Sequence, residues 1–192
     1  MITGIITIGI FFITAILALI ERYLGKFRLP IYISLGLVLM RLAATREVGL
    51  DPDSENYEYS YLHSESTSSL TDNVEFSYLW LSYLFNYLTH DVHALFFLYA
   101  FLGLTFKFIA FRQLSEFWFL PVVSYIGYYF IAHEMMQIRT GVLSGLFLMA
   151  IYQQVRGKKM IAFILLAIGA FFHYSALVLI PMLFLSSDYM TK

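Results

Sequence analysis

Three short stretches of this sequence gather the side chains that could do chemistry. The first runs from Arg41 and Arg46 through Gly49 to Asp51, Asp53 and Tyr57. The second packs His133, Glu134, Gln137 and Arg139 into seven residues. The third is His173-Tyr174-Ser175-Ala176, inside an otherwise apolar run. Arg grips phosphate oxygens with a planar fork and never loses its charge. His or a carboxylate can take a proton from an attacking hydroxyl. Arg can also stabilise the negative charge that grows on a phosphate leaving group. Each stretch has a plainer reading beside this one. The first can be a solvated acidic loop, Arg139 an interfacial anchor that snorkels, and His173 a packed membrane residue.

The elements that must position these residues are apolar. The chain has 192 residues, 60% of them hydrophobic and 13% charged, against about 45–50% and about 25% in soluble domains. Mean hydropathy is +0.73. This excludes a disordered chain, a basic nucleic-acid-binding domain and most soluble enzymes, so no nucleic-acid partner is expected. Net charge is −1 and names no partner; the absence of cysteine excludes disulfides and thiolate metal sites. No glycine-rich phosphate loop, HExxH, GxSxG or His/Cys metal spacing occurs, so no cofactor or metal is expected. Asp51 and Asp53 alone are a weak cation signal.

Long apolar blocks separated by charged clusters predict an all-α, polytopic membrane protein forming one membrane domain over 1–192. Six membrane helices are expected, at 2–20, 29–45, 92–111, 117–132, 140–155 and 160–185. The basic cluster follows the first apolar run instead of preceding it, so 2–20 reads as a retained helix and not a secretory signal. Residues 46–74 read as an external loop, with Ser64–Ser69 a flexible part of it. Residues 75–89 mix Trp80, Tyr78, Tyr83 and Tyr87 with Leu and Phe. That composition predicts an interfacial or re-entrant helix on the outer surface, with a short crossing as the open alternative.

The Lys/Arg bias orients these helices. Arg22, Lys26, Arg28, Lys107, Arg112, Arg156, Lys158 and Lys159 fall on the cytoplasmic side. Only Arg41, Arg46 and Arg139 fall outside. Arg139 lies 17 residues before Arg156, about 25 Å along a helix, near the outer edge of the hydrocarbon core. A charge at that depth usually has a partner or a function. His173 lies 14 residues after Lys159, about 21 Å along, in the outer third. Gly141, Ser144 and Gly145 form a small-residue face suited to close helix packing. His63, His90 and His93 read as loop or interfacial residues. All three polar stretches thus converge on the outer side. Such a site suits a polyprenyl-diphosphate-linked sugar, whose tail needs an apolar wall and whose diphosphate needs a cation.

At these same three places the sequence resembles the EpsG-like family of bacterial polysaccharide polymerases, related to the Wzy-type O-antigen polymerases. The matching stretches are Arg46-Glu-Val-Gly49-Leu-Asp51 with Tyr57, Gln137-Ile-Arg139-Thr140-Gly141, and Phe172-His173-Tyr174-Ser175-Ala176. The chain departs from the family at Gly49-Leu-Asp51-Pro52, where Gly-Thr-Asp-Tyr is usual. Members typically continue well beyond the third stretch, so the chain is expected to be the N-terminal part of a longer one. The aromatic segment 75–89 is similar to the juxtamembrane helix of GT-C-type glycosyltransferases, and the resemblance implies a GT-C-like fold.

The resemblance implies a glycosyltransferase of the bacterial inner membrane. It would polymerise polyprenyl-diphosphate-linked oligosaccharide repeat units at the outer face, for capsule, exopolysaccharide or O-antigen. Arg139, His173 and Asp51 are the expected catalytic residues. Arg46, Tyr57, Gln137, His133 and Glu134 are the expected substrate-binding residues. The expected partners are the lipid-linked oligosaccharide, the bilayer and other polysaccharide-assembly proteins. Two rivals remain: a flippase or transporter subunit for the same lipids, and a truncated, non-catalytic membrane fragment.

Overall fold

The computed structural model describes residues 2–49, 51–63 and 76–184, and all secondary structure among them is helical. Eight α-helices follow in order: α1 Ile2–Ile20, α2 Arg28–Ala44, α3 Pro52–Leu62, α4 Phe76–Leu88, α5 His93–Leu114, α6 Phe119–Tyr128, α7 Ile138–Val155 and α8 Lys159–Phe172. A π-helical turn, Ile131–Met136, joins α6 to α7, and a 3₁₀ segment, Tyr174–Phe184, follows α8. The all-helical membrane class read from the sequence holds. Among the described residues three helices are long and apolar enough to cross a membrane, Thr3–Tyr23, Gly25–Ala44 and His93–Leu114. Phe119–Tyr128, Lys159–Phe172 and Tyr174–Phe184 are shorter apolar segments.

Three segments differ from their sequence reading. The external loop expected over 46–74 contains α3. Asp51 is the N-cap of that helix, its carboxylate accepting the Ser54 N–H at 2.9 Å, and Pro52 takes the first turn, where a missing N–H costs nothing. The Ser64–Ser69 stretch lies outside the described residues. The block 117–132 is not one helix. α6 spans only ten residues, about 15 Å, before the chain widens into the π-turn. The block 160–185 also breaks. His173 is extended (φ −156°, ψ 125°), and Pro181 within the following segment cannot supply the N–H that an α-helix requires.

The loops at one end carry the basic residues and fasten two junctions together. Buried Glu21, just after α1, accepts the N–H groups of Trp118 (2.6 Å) and Phe119 (3.2 Å) at the start of α6. Arg28 neutralises it at 2.5 Å. At the centre α5 packs on α7 with little between them. A Cβ added at Gly145 would lie 2.8 Å from the Phe106 Cβ and 3.1 Å from the Gly103 carbonyl. Glycine is therefore required for this approach, as the small-residue face in the sequence anticipated.

Two large apolar cores result among the described residues, beside a small one of Ala150, Ala162 and Leu166. One joins α1, α2, α5 and α6 around Tyr32, Leu39, Leu104 and Phe119. The other joins α3, α4, α5, α7 and α8 around Tyr61, Tyr78, Phe96, Tyr99 and Leu146. Their tyrosines lock the short helices in place. Tyr78 donates to the Tyr57 carbonyl at 2.6 Å and Tyr61 to the Thr89 carbonyl at 2.5 Å. In this way α3 and α4 are fixed over the end of the bundle opposite the basic junctions. α4 is 13 residues long, buries Ser77, Tyr78, Leu81 and Ser82, and exposes Trp80, Tyr83 and Tyr87.

Candidate functional site

Four chain segments meet at that end around a cavity of about 620 Å³. α3 contributes Asp53, Asn56, Tyr57 and Ser60, and α4 contributes Tyr78. The start of α7 contributes Gln137, Arg139 and Thr140, and the break after α8 contributes His173. The sequence folds this way because each segment ends or begins here. Asp51 and Pro52 start α3. The Gln137 backbone (φ −100°, ψ 63°) leaves the π-turn and starts α7. The kink at His173 turns its side chain out of the α8 stack and onto the cavity.

Arg139 lies in the first turn of α7, where the positive end of the helix dipole adds to its own charge. Its guanidinium is 5.7 Å from the Tyr57 ring centre and 5.9 Å from that of Tyr78. The two rings are 5.2 Å apart and form an aromatic wall behind the cation. Burial pushes the Tyr57 hydroxyl pKa up, against the charge and hydrogen bond of Arg139, so Tyr57 stays protonated at neutral pH. The arrangement offers a cation backed by aromatic faces, a histidine, and amide, hydroxyl and carboxylate groups from α3. These are the groups that bind a phosphate and a polyhydroxylated molecule side by side.

Of the residues expected from the sequence to be catalytic or substrate-binding, Arg139, His173, Tyr57 and Gln137 line this cavity. Asp51, Arg46, His133 and Glu134 do not. Asp51 is occupied in capping α3. Arg46 is 2% exposed; its Nη1 donates to the Glu134 carbonyl at 3.0 Å, and its guanidinium sits 3.7 Å over the Phe96 ring. Its Nε and Nη2 find no hydrogen-bond partner among the described residues. Burial holds the Arg46 pKa down to about 10, although nearby Asp51 pulls the other way. His93, at the start of α5, contacts the Arg46 carbonyl through Nε2 at 3.0 Å.

Glu134 belongs to a different construction. Its carboxylate, 1% exposed, accepts from Lys107 Nζ at 2.6 Å and from the Tyr125 hydroxyl at 2.5 Å. Lys107, also 1% exposed, donates as well to the Gly141 carbonyl in the first turn of α7. This corrects the placement of Lys107 at the cytoplasmic end. It is an internal cation tying α5 to the π-turn and α7. His133 faces another cavity, of about 560 Å³, that includes Lys107, Tyr125 and Ser144.

The sequence reading missed Tyr78, Asn56, Ser60 and Thr140 at the cavity, and the Lys107–Glu134 pair beside it. For the pair a signal existed. A lysine inside a run as apolar as 92–111 needs an acid partner, and Glu134 is the acid within the next apolar hairpin. For Tyr78 the signal was obscured, because aromatic residues fill both faces of α4.

The fold and this cavity define a helical membrane protein with a cationic, aromatic-walled site at one end of its bundle. Residues 29–190 match the model of the EpsG family, and the chain belongs to that family. The membership supports a place among exopolysaccharide-related polymerases. No curated protein and no solved structure matches the chain.

Proposed function

We propose that the protein joins polyprenyl-diphosphate-linked oligosaccharide repeat units at the outer face of the bacterial inner membrane, extending capsule, exopolysaccharide or O-antigen. The observation that carries this reading is the convergence of Arg139, His173, Tyr57 and Gln137 on one cavity of about 620 Å³. On this reading the chain crosses the membrane six times and α4 lies along the outer surface as in GT-C-type enzymes, so that the cavity opens at the outer leaflet. A lipid-linked substrate reaches it there without leaving the membrane.

In the transfer, the acceptor hydroxyl at the non-reducing end of an incoming unit attacks C1 of the growing chain. A new C1–oxygen bond forms and the bond from C1 to the diphosphate oxygen breaks. His173 takes the proton of the acceptor hydroxyl. Arg139 holds the diphosphate and stabilises the charge that grows on it as it leaves with its lipid. Tyr57, Asn56, Ser60 and Gln137 supply hydrogen bonds to sugar hydroxyls. Asp51 and Arg46, away from the cavity, act by fixing α3 and the π-turn.

The test is a polysaccharide gel. A strain lacking its own polymerase but making the matching repeat unit receives the chain. The expected result is a ladder of polymer lengths that collapses to single units with Arg139→Ala. A ladder unchanged by Arg139→Ala, with the protein present in the membrane, defeats the assignment.

A further inference from the structure

Along their length α2 and α5 leave a groove between them of about 320 Å³ that ends at the basic junctions. Leu29, Gly36 and Met40 form one wall and Phe101 and Phe108 the other, with Arg112 at one end. Residues 29 to 40 span about 16 Å of helix. The groove is lined almost wholly by apolar side chains, and of its two hydroxyl residues, Tyr32 and Thr105, the tyrosine is spent. Tyr32 donates to the Phe108 carbonyl at 2.9 Å. Gly36 keeps the groove open to the Phe108 ring, which a Cβ there would approach at 3.2 Å. Leu37, at the rim, is 57% exposed.

The Arg112 end is cationic. Arg112 lies 4.8 Å from the centre of the Trp118 ring and Arg28 lies 3.9 Å from it. Arg22 stands over Phe117 at 5.1 Å, and Lys26 follows α1 in the same junction. Two carboxylates balance these four charges in part. Glu21 is engaged by Arg28 and the backbone of α6, and Glu116 belongs to the α5–α6 junction. Arg28 is thus committed to Glu21 and to the Glu116 carbonyl. Arg112 is exposed and held at the groove end by the indole face.

We propose that this is a binding site for one anionic glycerophospholipid, with an acyl chain along the α2–α5 groove and its phosphate on Arg112. The size of the groove decides against a protein segment. A helix 16 Å long and about 10 Å across fills about 1,200 Å³, roughly four times the space present. A single hydrocarbon chain is narrow enough. The charge at the end decides the headgroup, since a guanidinium forks onto phosphate oxygens and the surrounding basic residues repel cations. Trp118 holds Arg112 at the height where a headgroup begins. The site is independent of the sugar-transfer reading and shares no lining residue with that cavity.

The experiment uses the full chain in nanodiscs of equal parts phosphatidylglycerol and phosphatidylcholine, with the protein released and its retained lipids counted by native mass spectrometry. One phosphatidylglycerol is retained in preference to phosphatidylcholine. Arg112→Gln lowers that preference about fivefold, the contribution of one basic side chain near an anionic lipid surface. Leu37→Trp, which fills the groove from its exposed rim, removes the retained lipid of either headgroup. Arg156→Gln, which deletes an arginine of the α7 end, leaves the preference unchanged. Equal retention of the two lipids by the unsubstituted chain overturns the proposal, as does a preference that survives Arg112→Gln. A dimer held through this face with no lipid retained also overturns it.

Discussion

Two cations sit on either side of one turn of chain, and their surroundings are opposite. Lys107 reaches the π-turn from α5 and is consumed by the protein: Glu134 neutralises it and the Gly141 carbonyl accepts another of its N–H groups. Arg139, two residues before Gly141, lies against the faces of Tyr57 and Tyr78 and lines a cavity of about 620 Å³. The first charge is balanced inside the bundle and so serves the fold. The second is presented to a space large enough for a ligand. A membrane protein tolerates an internal charge for either purpose, and what faces the charge tells the purposes apart. The two are also joined. The Lys107–Glu134 pair grips both ends of the turn from which Arg139 projects, so the fold-serving cation sets the position of the ligand-facing one.

Removing each cation in turn separates these roles. Lys107→Met leaves the Glu134 carboxylate buried without its cation and lowers stability by about 3–5 kcal/mol. Thermal unfolding in detergent reads this as a large fall in Tm. Replacing both partners, Lys107→Leu with Glu134→Leu, recovers most of the loss, because no uncompensated charge remains. If the double substitution is no better than the single one, the pair is not a closed unit. Arg139→Ala has the reverse signature. Polymer formation falls about 10²–10³-fold, equivalent to about 3–4 kcal/mol of transition-state stabilisation, while Tm barely moves. Arg139→Lys restores charge without the fork and recovers activity in part. A fall in Tm with Arg139→Ala as large as that with Lys107→Met would erase the distinction between the two sites.

The α5–α7 crossing beneath both cations carries a smaller effect. Gly145→Ala places a methyl group 2.8 Å from the Phe106 Cβ and pushes the helices apart, costing about 1–3 kcal/mol. The same shift displaces the first turn of α7, so polymer yield falls together with Tm. Yield and Tm moving independently would show that the crossing does not position the site.

The helical membrane class and four of the cavity residues were legible in the sequence because they rest on local signals. Apolar runs mark helices whatever their partners, and Arg139 and His173 stand out as polar groups inside such runs. What was illegible depends on packing. Glu134 and His133 are neighbours of Arg139 in sequence, and the reading pooled all three. The π-turn sends Glu134 inward to Lys107 and Tyr125, so adjacency along the chain gave the wrong company. The break at His173 is a tertiary choice, although Pro181 hinted at it. The start of α3 does rest on a local signal: Asp51-Pro52 followed by Ser54 is a helix N-terminus inside a stretch whose polarity reads as an external loop.

Asp51 is the most informative of the mild substitutions. Two roles compete for this carboxylate: a part in sugar transfer, as the family resemblance implies, or the capping of α3. The structure shows the cap, with Oδ1 2.9 Å from the Ser54 N–H and the Ser54 hydroxyl donating in turn to the Asp51 carbonyl at 2.8 Å. Capping needs an acceptor oxygen and no negative charge, so Asn serves nearly as well as Asp. Asp51→Ala is therefore expected to cost about 1 kcal/mol of stability and to shorten the ladder slightly, as α3 loosens over the cavity. Asp51→Asn is expected to change neither. A ladder that collapses with Asp51→Asn while Tm holds would require the charge itself. Asp51 would then belong with Arg139 among the groups that serve the ligand, and the line between ligand-serving and fold-serving residues would move to the other side of α3.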